Sequence, residues 1–322
     1  MVRHLVMGIS LIGMAISGAG TARAQPYPHK PVRVITAEAG GGLDVAARII
    51  APGLTNHLGQ QVVVDNRGGA SGAIAIATAA RALSDGYTLL LYSNAIWVLP
   101  FLRSNVGYDP VNDFSPITLA ASSPNILVAH PSLTAGSVKD LITLLKARPG
   151  AVSYASGGPG STPHLAAELF KSMAGVDIVH VPYKGSGPGI NDLIAGHVHM
   201  MFPVAASVMP HVKSGRLRAL AVTNSKPSLL VPDLPTMAAS GLPGYESLQM
   251  FGVYAPARTP RTIIGRLNQE LLRVLASADV KNRFFNAGVE VVGSSPEQLV
   301  AAVKADMTRI GKVIKDAGIR AE

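Results

Sequence analysis

The chain has 322 residues, 48% hydrophobic and 15% charged, which is ample material for two cores of ordinary size and excludes a disordered polypeptide. Its 33 glycines and 23 prolines follow no repeat, which excludes a fibrous chain, and 28 Lys and Arg against 19 Asp and Glu give a formal net charge of +9 that attracts anions in general. Without a block of consecutive basic residues, and with 5% aromatics, no nucleic-acid partner is expected; without cysteine, disulfides, a lipid-anchored cysteine, thiol catalysis and cysteine-ligated zinc all fall away.

The first residues read as an export leader. Arg3 and His4 precede an apolar stretch from Leu5 to Ile16, and Ala22-Arg23-Ala24 supplies the small-x-small cleavage pattern. Cleavage is expected before Gln25, which makes residues 1–24 a signal peptide and the mature chain periplasmic. The stretch is too short for a permanent span, and no membrane insertion of the mature chain is expected.

From Pro31 onward strand and helix signals alternate. Val32 to Thr36 is a strand that enters Gly40-Gly41-Gly42, and Asp44 can cap a helix to about His57 with Leu43, Ala47, Ile50 and Leu54 on one face. Strand 61–65, a glycine-rich loop from Arg67 to Gly72, helix 73–82 and strand 87–92 follow. This βαβαβ pattern predicts a mostly parallel sheet covered by helices. A second set begins with strand 125–130 and continues with helix 137–147, strand 152–155, helix 162–173, strand 177–181, helix 187–195, strand 199–202, helix 206–213 and strand 218–222. Residues 223–244 form a proline-rich connection. Strand 249–254 and an amphipathic helix from Arg261 to Ala276 come next, and Ser295-Pro296-Glu297-Gln298 is a capping-box start for a last helix.

Three polar, glycine-rich junctions follow strands and precede helices: Ala39 to Asp44, Ser156 to Thr162, and Tyr183 to Gly187. In an open α/β sheet, ligands sit beyond the carboxyl ends of the strands. Unpaired N–H groups at helix starts favour an anion there. Two such mouths facing each other suit a carboxylate with a second polar end. Lys184 either neutralises a bound acid or points outward; Arg67 either binds ligand or locks its loop; His164 either donates to ligand or caps locally. No loop has GxGxxG or GxxxxGK[ST] spacing, so no nucleotide or other cofactor is expected. Ser156, His164 and Asp192 lack the G-x-S-x-G elbow of a hydrolase, and His197 with His199 lacks a third ligand, so neither an enzyme nor a metal site is read.

A series of short motifs, in order, carries a resemblance. They are Tyr27-Pro28-x-Lys30-Pro31, the Gly-Gly-x-x-Asp turn ending at Asp44, Ala47-Arg48 and Leu58-Gly59-Gln60-x-Val62-Val63-Val64-x-Asn66-Arg67. Asp85-Gly86-Tyr87-Thr88-Leu89, Tyr108-Asp109-Pro110-x-x-Asp113-Phe114 and His180-Val181-Pro182-Tyr183-Lys184-Gly185 continue it. Leu217-Arg218-Ala219-Leu220-Ala221, Pro232-Asp233-x-Pro235-Thr236 and Gly252-x-x-Ala255-Pro256 complete it. Over essentially the whole mature length the chain resembles the substrate-binding proteins of tripartite tricarboxylate transporters, the Bug-type periplasmic receptors.

The resemblance implies an α/β fold of the type II periplasmic binding protein kind, with two lobes joined by two crossover segments. Lobe one is placed at 28–123 plus 226–322 and lobe two at 124–225. It further implies a small carboxylate, amino acid or aromatic acid as ligand and a two-component membrane permease as partner; some relatives instead serve as sensors for a signalling protein. Carried over, the first-lobe contacts are Thr36, Ala37, Glu38, Ala39, Gly40, Asp44, Arg67, Gly69, Ala70, Ser71, Ser93 and Asn94. The second-lobe contacts are Ser156, Gly157, Ser161, His164, Tyr183, Lys184 and Gly185. One departure stands out: where the family usually has Pro-Phe followed by small residues, this chain has Thr36-Ala37-Glu38-Ala39. Glu38 either points to solvent or accepts a donor on the ligand.

Overall fold

The structure is a computed structural model that describes residues 27–320, so the expected leader lies outside the described residues. β1 (Val32–Thr36) leads into α1 (Gly42–Leu58), and β2 (Val62–Asn66) leads through a 3-10 turn at Ala70–Gly72 into α2 (Ala73–Ala80). β3 (Thr88–Tyr92) leads into α3 (Ala95–Leu102). β1 and β3 are apolar runs buried along nearly their whole length, as strands covered on both faces must be. β4 (Phe114–Pro124) then carries the chain to β5 (Ile126–Ala129) and a second unit. That unit comprises α4 (Val138–Ala147), β6 (Ser153–Ser156), α5 (Thr162–Ala174), β7 (Val179–Pro182), α6 (Ser186–Ala195), β8 (Met200–Met201), α7 (Ala205–Lys213) and β9 (Arg218–Val222). β10 (Leu248–Pro256) returns to the first unit, which α8 (Arg261–Ala276), α9 (Ala278–Asn286), β11 (Glu290–Val291) and α10 (Pro296–Asp316) complete. The expected capping box at the start of α10 is present, with Ser295 and Gln298 bonded reciprocally.

The result is two α/β lobes of the type II periplasmic binding protein kind. Strand order is β11-β4-β10-β3-β1-β2 in the first sheet and β7-β6-β8-β5-β9 in the second. The expectation of a mostly parallel sheet needs correction. Among the described strands, β1–β2, β1–β3, β6–β7 and β6–β8 pair in parallel and the other five strand pairs are antiparallel. The reason is topological. β4 carries the chain out of the first lobe and β10 brings it back, so the two run in opposite directions and pair from Leu248↔Pro124 to Pro256↔Phe114.

The crossovers are bonded to each other where they leave the first sheet. Asn125 N–H donates to Thr223 Oγ1 at 2.9 Å, and Thr223 N–H donates to the Asn125 carbonyl at 3.0 Å. The Asn125 amide also donates to the Phe202 carbonyl, and Ser247 N–H donates to the Thr223 carbonyl at 2.9 Å. These bonds are buried and hold the connecting segments side by side.

Packing also moves the lobe boundary read from sequence. Residues after 226 were placed in lobe one, yet Val231, Met237, Leu242 and Tyr245 belong to the cores of the second lobe, and Val222 bridges to Thr236 beside β9. The proline-rich connection has no long strand of its own, so its few apolar side chains settle on the nearest uncovered face. α10 spans both lobes: Leu299 and Ile310 pack in the first core and Val313 in the second.

Candidate functional site

The carboxyl end of β3 and the 3-10 turn of lobe one face the β6–α5 loop of lobe two across a cavity of about 290 Å³. Its polar wall carries Ser71, Ser93, Ser161 and Thr162, with Gly157, Pro159 and Gly160 beside them. Its apolar wall carries Val98, Leu99, Leu102, Leu165, Leu248 and Ile310. No Lys, Arg or His is among the lining residues. α3 and α5, one from each lobe, begin at the cavity, which sets their positive dipole ends beside it; the first-turn N–H groups of α3 are bonded to Ser93 and Asn94.

Ser161 precedes α5, and its Oγ is buried without a hydrogen-bond partner. A buried hydroxyl without a partner is unfavourable, and Ser161 is one of the residues around the cavity. The lobes touch beside it. Gly160 has φ +74°, and a Cβ there would fall 2.2 Å from Leu102 Cδ1, so only glycine lets the β6–α5 loop lie against α3.

Structural bonds hold both rims. Asp306 of α10 reaches the cavity yet is only 2% exposed, and it accepts from Asn94 Nδ2, Trp97 Nε1 and Arg309 Nη2, each at 2.8 Å. Asn94 Oδ1 in turn accepts from Met250 N–H at 2.7 Å, and Arg309 pairs with Glu246 at 2.9 Å. The start of α3 is thereby tied to α10 and to the returning crossover. On the other rim His164 Nδ1 accepts from Gly160 N–H at 3.0 Å, and its ring stacks on His180 at 4.0 Å between centroids. Burial first, then the charges of His180 and Lys171, push the His164 pKa down to about 3, so the ring stays neutral and keeps its acceptor. His180 is bonded to Ser156 Oγ at 2.7 Å, and burial lowers its pKa as well.

Some expected contacts therefore hold the site without lining it. Asp44 does not cap α1; the helix begins at Gly42, with Gly41 as the cap residue, and the buried Asp44 carboxylate accepts from Gly40 N–H, Arg48 Nε and Asn66 Nδ2 at 2.8–2.9 Å. Burial works against its charge, yet these donors hold its pKa below the usual carboxylate value. Arg67 pairs with Asp65 at 3.0 Å, which is the loop-locking role. Thr36 is buried and donates to the Leu91 carbonyl, Ser156 serves His180, and His164 fixes the loop. Tyr183 donates to Asp192 at 2.7 Å, and Lys184 and Gly185 are exposed and lie outside the cavity wall, as do Ala39, Gly40 and Ala70. Ser71, Ser93, Asn94, Gly157 and Ser161 line the one cavity. Ala37, Glu38 and Gly69 instead frame an adjoining hollow with Ser71 and Ser93.

The apolar wall was missed. Val98, Leu99 and Leu102 stand in a helix that is apolar on every side and gives no periodic signal. Asp306 had a signal: it falls on the apolar stripe of α10 between Val303 and Ile310, where a carboxylate is out of place unless bonded.

The model for the tripartite tricarboxylate transporter family receptor matches residues 46–319. The chain belongs to that family. BugT of Bordetella pertussis is 37% identical, the match covering 97% of this chain and 98% of BugT. Among solved structures, R. palustris Rpa4515 with adipate is 40% identical with a TM-score of 0.76, covering 91% of this chain and 99% of that one. MatC from Rhodopseudomonas palustris with bound malate is 28% identical with a TM-score of 0.71, covering 89% and 100%. As a member of this receptor family the chain is a periplasmic solute-binding protein, and it binds its solute without turning it over. Among the described residues no helix is long and apolar enough to cross a membrane, and no cluster of metal-ligating side chains occurs.

Proposed function

We propose that this receptor captures a small organic acid in the interlobe cavity and delivers it to a two-component membrane permease. One carboxylate rests on the start of α5, taking the Ser161 hydroxyl and the Thr162 N–H. The carbon body lies on the aliphatic wall, and a second polar end meets Ser71, Ser93 and the start of α3. The observation that carries this reading is the buried, partnerless Ser161 Oγ at a helix start on the cavity wall. The adipate and malate bound in two relatives are acids of the size the cavity admits.

The donors are neutral. In a partly enclosed cavity, hydrogen bonds from fixed dipoles are stronger than in open water and hold an anion without a full countercharge. With no cation on the wall, and with the Asp306 carboxylate at its edge, an acid of low charge with an apolar body is favoured over a compact trianion. Isothermal titration with hexanoate, adipate, malate and citrate, each beside its neutral amide, tests the reading. Binding of at least one acid, with its amide much weaker, is expected; equal binding of acid and amide, or binding of none, overturns it.

A further inference from the structure

We propose that the basic hollow where α3 and α10 end is a docking surface for an acidic segment of the membrane partner. Arg103, Lys315 and Arg320 receive its carboxylates, and Phe101 receives an apolar side chain set between them. This rests on the reading of a receptor that hands its solute to a permease, and it names the surface through which the two meet.

The two helix ends build the hollow. Gly311 stands inside α10, where a Cβ would fall 2.9 Å from the Phe101 ring, so the last turn of α3 lies directly against the α10 backbone. A glycine in a helix interior costs about 1 kcal/mol relative to alanine, and here the close approach accounts for it. Past α10, Gly318 has φ +64°; its N–H donates to the Lys315 carbonyl at 3.3 Å, and Ile319 N–H donates to the Ile314 carbonyl at 3.0 Å. Ile319 thereby turns back into the first core and leaves Arg320 exposed beside Phe101. A recess of about 670 Å³ lined by Phe101, Arg103 and Arg320 adjoins one of about 280 Å³ lined by Phe101, Lys315 and Arg320.

No Asp or Glu lines either recess, and the nearby Asp316 is taken by Lys312. The side chains of Arg103, Lys315 and Arg320 make no ion pair or hydrogen bond among the described residues, so they do not serve the free carbonyls of the helix ends. Like charges gathered around one recess repel, and carboxylates set among them remove that cost. Phe101, 41% exposed at the centre, adds an apolar contact that a simple ion would not use. A recess admits a protruding loop better than a flat bilayer. Leu102 lines both this hollow and the solute cavity, and it meets the second lobe at Gly160. A segment seated here therefore touches a residue placed by lobe closure, which ties docking to the loaded receptor.

The test adds purified receptor, loaded with the acid found by calorimetry, to spheroplasts that carry the permease but lack the receptor. Lys315→Glu/Arg320→Glu changes two exposed side chains and leaves the core intact. The double variant should bind the acid as the wild type does yet support uptake at least about tenfold more weakly, and only wild-type uptake should fall steeply with ionic strength. Lys315→Arg/Arg320→Lys should retain uptake. Unchanged uptake by the charge-reversed variant overturns the docking surface and leaves the receptor reading standing. A matching loss of acid affinity overturns it by assigning the cations to solute binding. Retention of the wild type, but not the charge-reversed variant, on phosphatidylglycerol vesicles overturns it in favour of a lipid surface. Absence of receptor-dependent uptake with the wild type overturns the transport reading and the docking surface together.

Discussion

Replacing Ser161 with alanine separates a ligand-binding hydroxyl from a structural one, because the two roles predict opposite signs. In the free protein Ser161 Oγ is buried without a partner, so its removal costs no internal bond. A buried, unsatisfied hydroxyl carries a desolvation penalty of about 1–3 kcal/mol. Ser161→Ala relieves part of it, and the free receptor should melt at the wild-type temperature or a few degrees higher. In the liganded protein the same hydroxyl donates to a carboxylate, and a bond to a charged group contributes about 1.5–3 kcal/mol. Affinity should then fall about 10- to 150-fold. Thermal melts with and without saturating acid, and titration calorimetry, read both effects, since ligand stabilises the native state by mass action. A Ser161→Ala protein that melts lower when free and binds the acid as tightly as wild type would refute the assignment.

Further outcomes follow from the supports of the site. Gly160→Ala places a methyl against Leu102 at a positive φ, so the lobes should be held apart; weaker ligand binding and a larger radius of gyration by small-angle scattering in the presence of acid are expected. Asp306→Ala leaves the Trp97 indole N–H and Arg309 without their shared acceptor; a loss of about 3 kcal/mol or more in urea denaturation is expected, with a shift in emission from Trp97, the one tryptophan of the sequence. His164 has its pKa lowered from 6.5 to about 3, so below pH 6.5 the unfolded chain binds a proton that the native one refuses. Stability should therefore fall as pH drops from 6.5 toward 3, by about 1.4 kcal/mol per unit from this ring, with His180 acting in the same direction. His164→Asn, which keeps an acceptor for Gly160 but no titrating ring, should flatten that slope in denaturation measured at a series of pH values.

The helices and strands that pack against one local surface were legible in the chain itself. Arg261–Ala276 shows one apolar face, and Ser295 with Gln298 announces the start of α10. β4 was not legible: Ser, Thr and Pro interrupt Phe114–Pro124, and the strand forms because β10, far away in sequence, supplies its partner. The same non-local pairing makes the first sheet mixed rather than mostly parallel. For the site, the glycine junctions pointed to the carboxyl ends of the strands, where Ser71, Ser93 and Ser161 line one cavity. Asp44 and Arg67 were ambiguous because a residue that bonds ligand and one that bonds its own loop have the same chemistry; only their partners in the fold, Gly40 and Asp65, distinguish the roles. The aliphatic wall from α3 and α10 depends on how those helices cross, which no local pattern records.

The crystal structure of the receptor grown with a bound acid tests the central claim most directly. The account predicts a carboxylate oxygen within hydrogen-bonding distance of Ser161 Oγ and Thr162 N–H, with the carbon chain against Leu99, Leu102 and Ile310. Solute bound outside the interlobe cavity, or held there by a charged side chain while Ser161 Oγ stays without a partner, would contradict it.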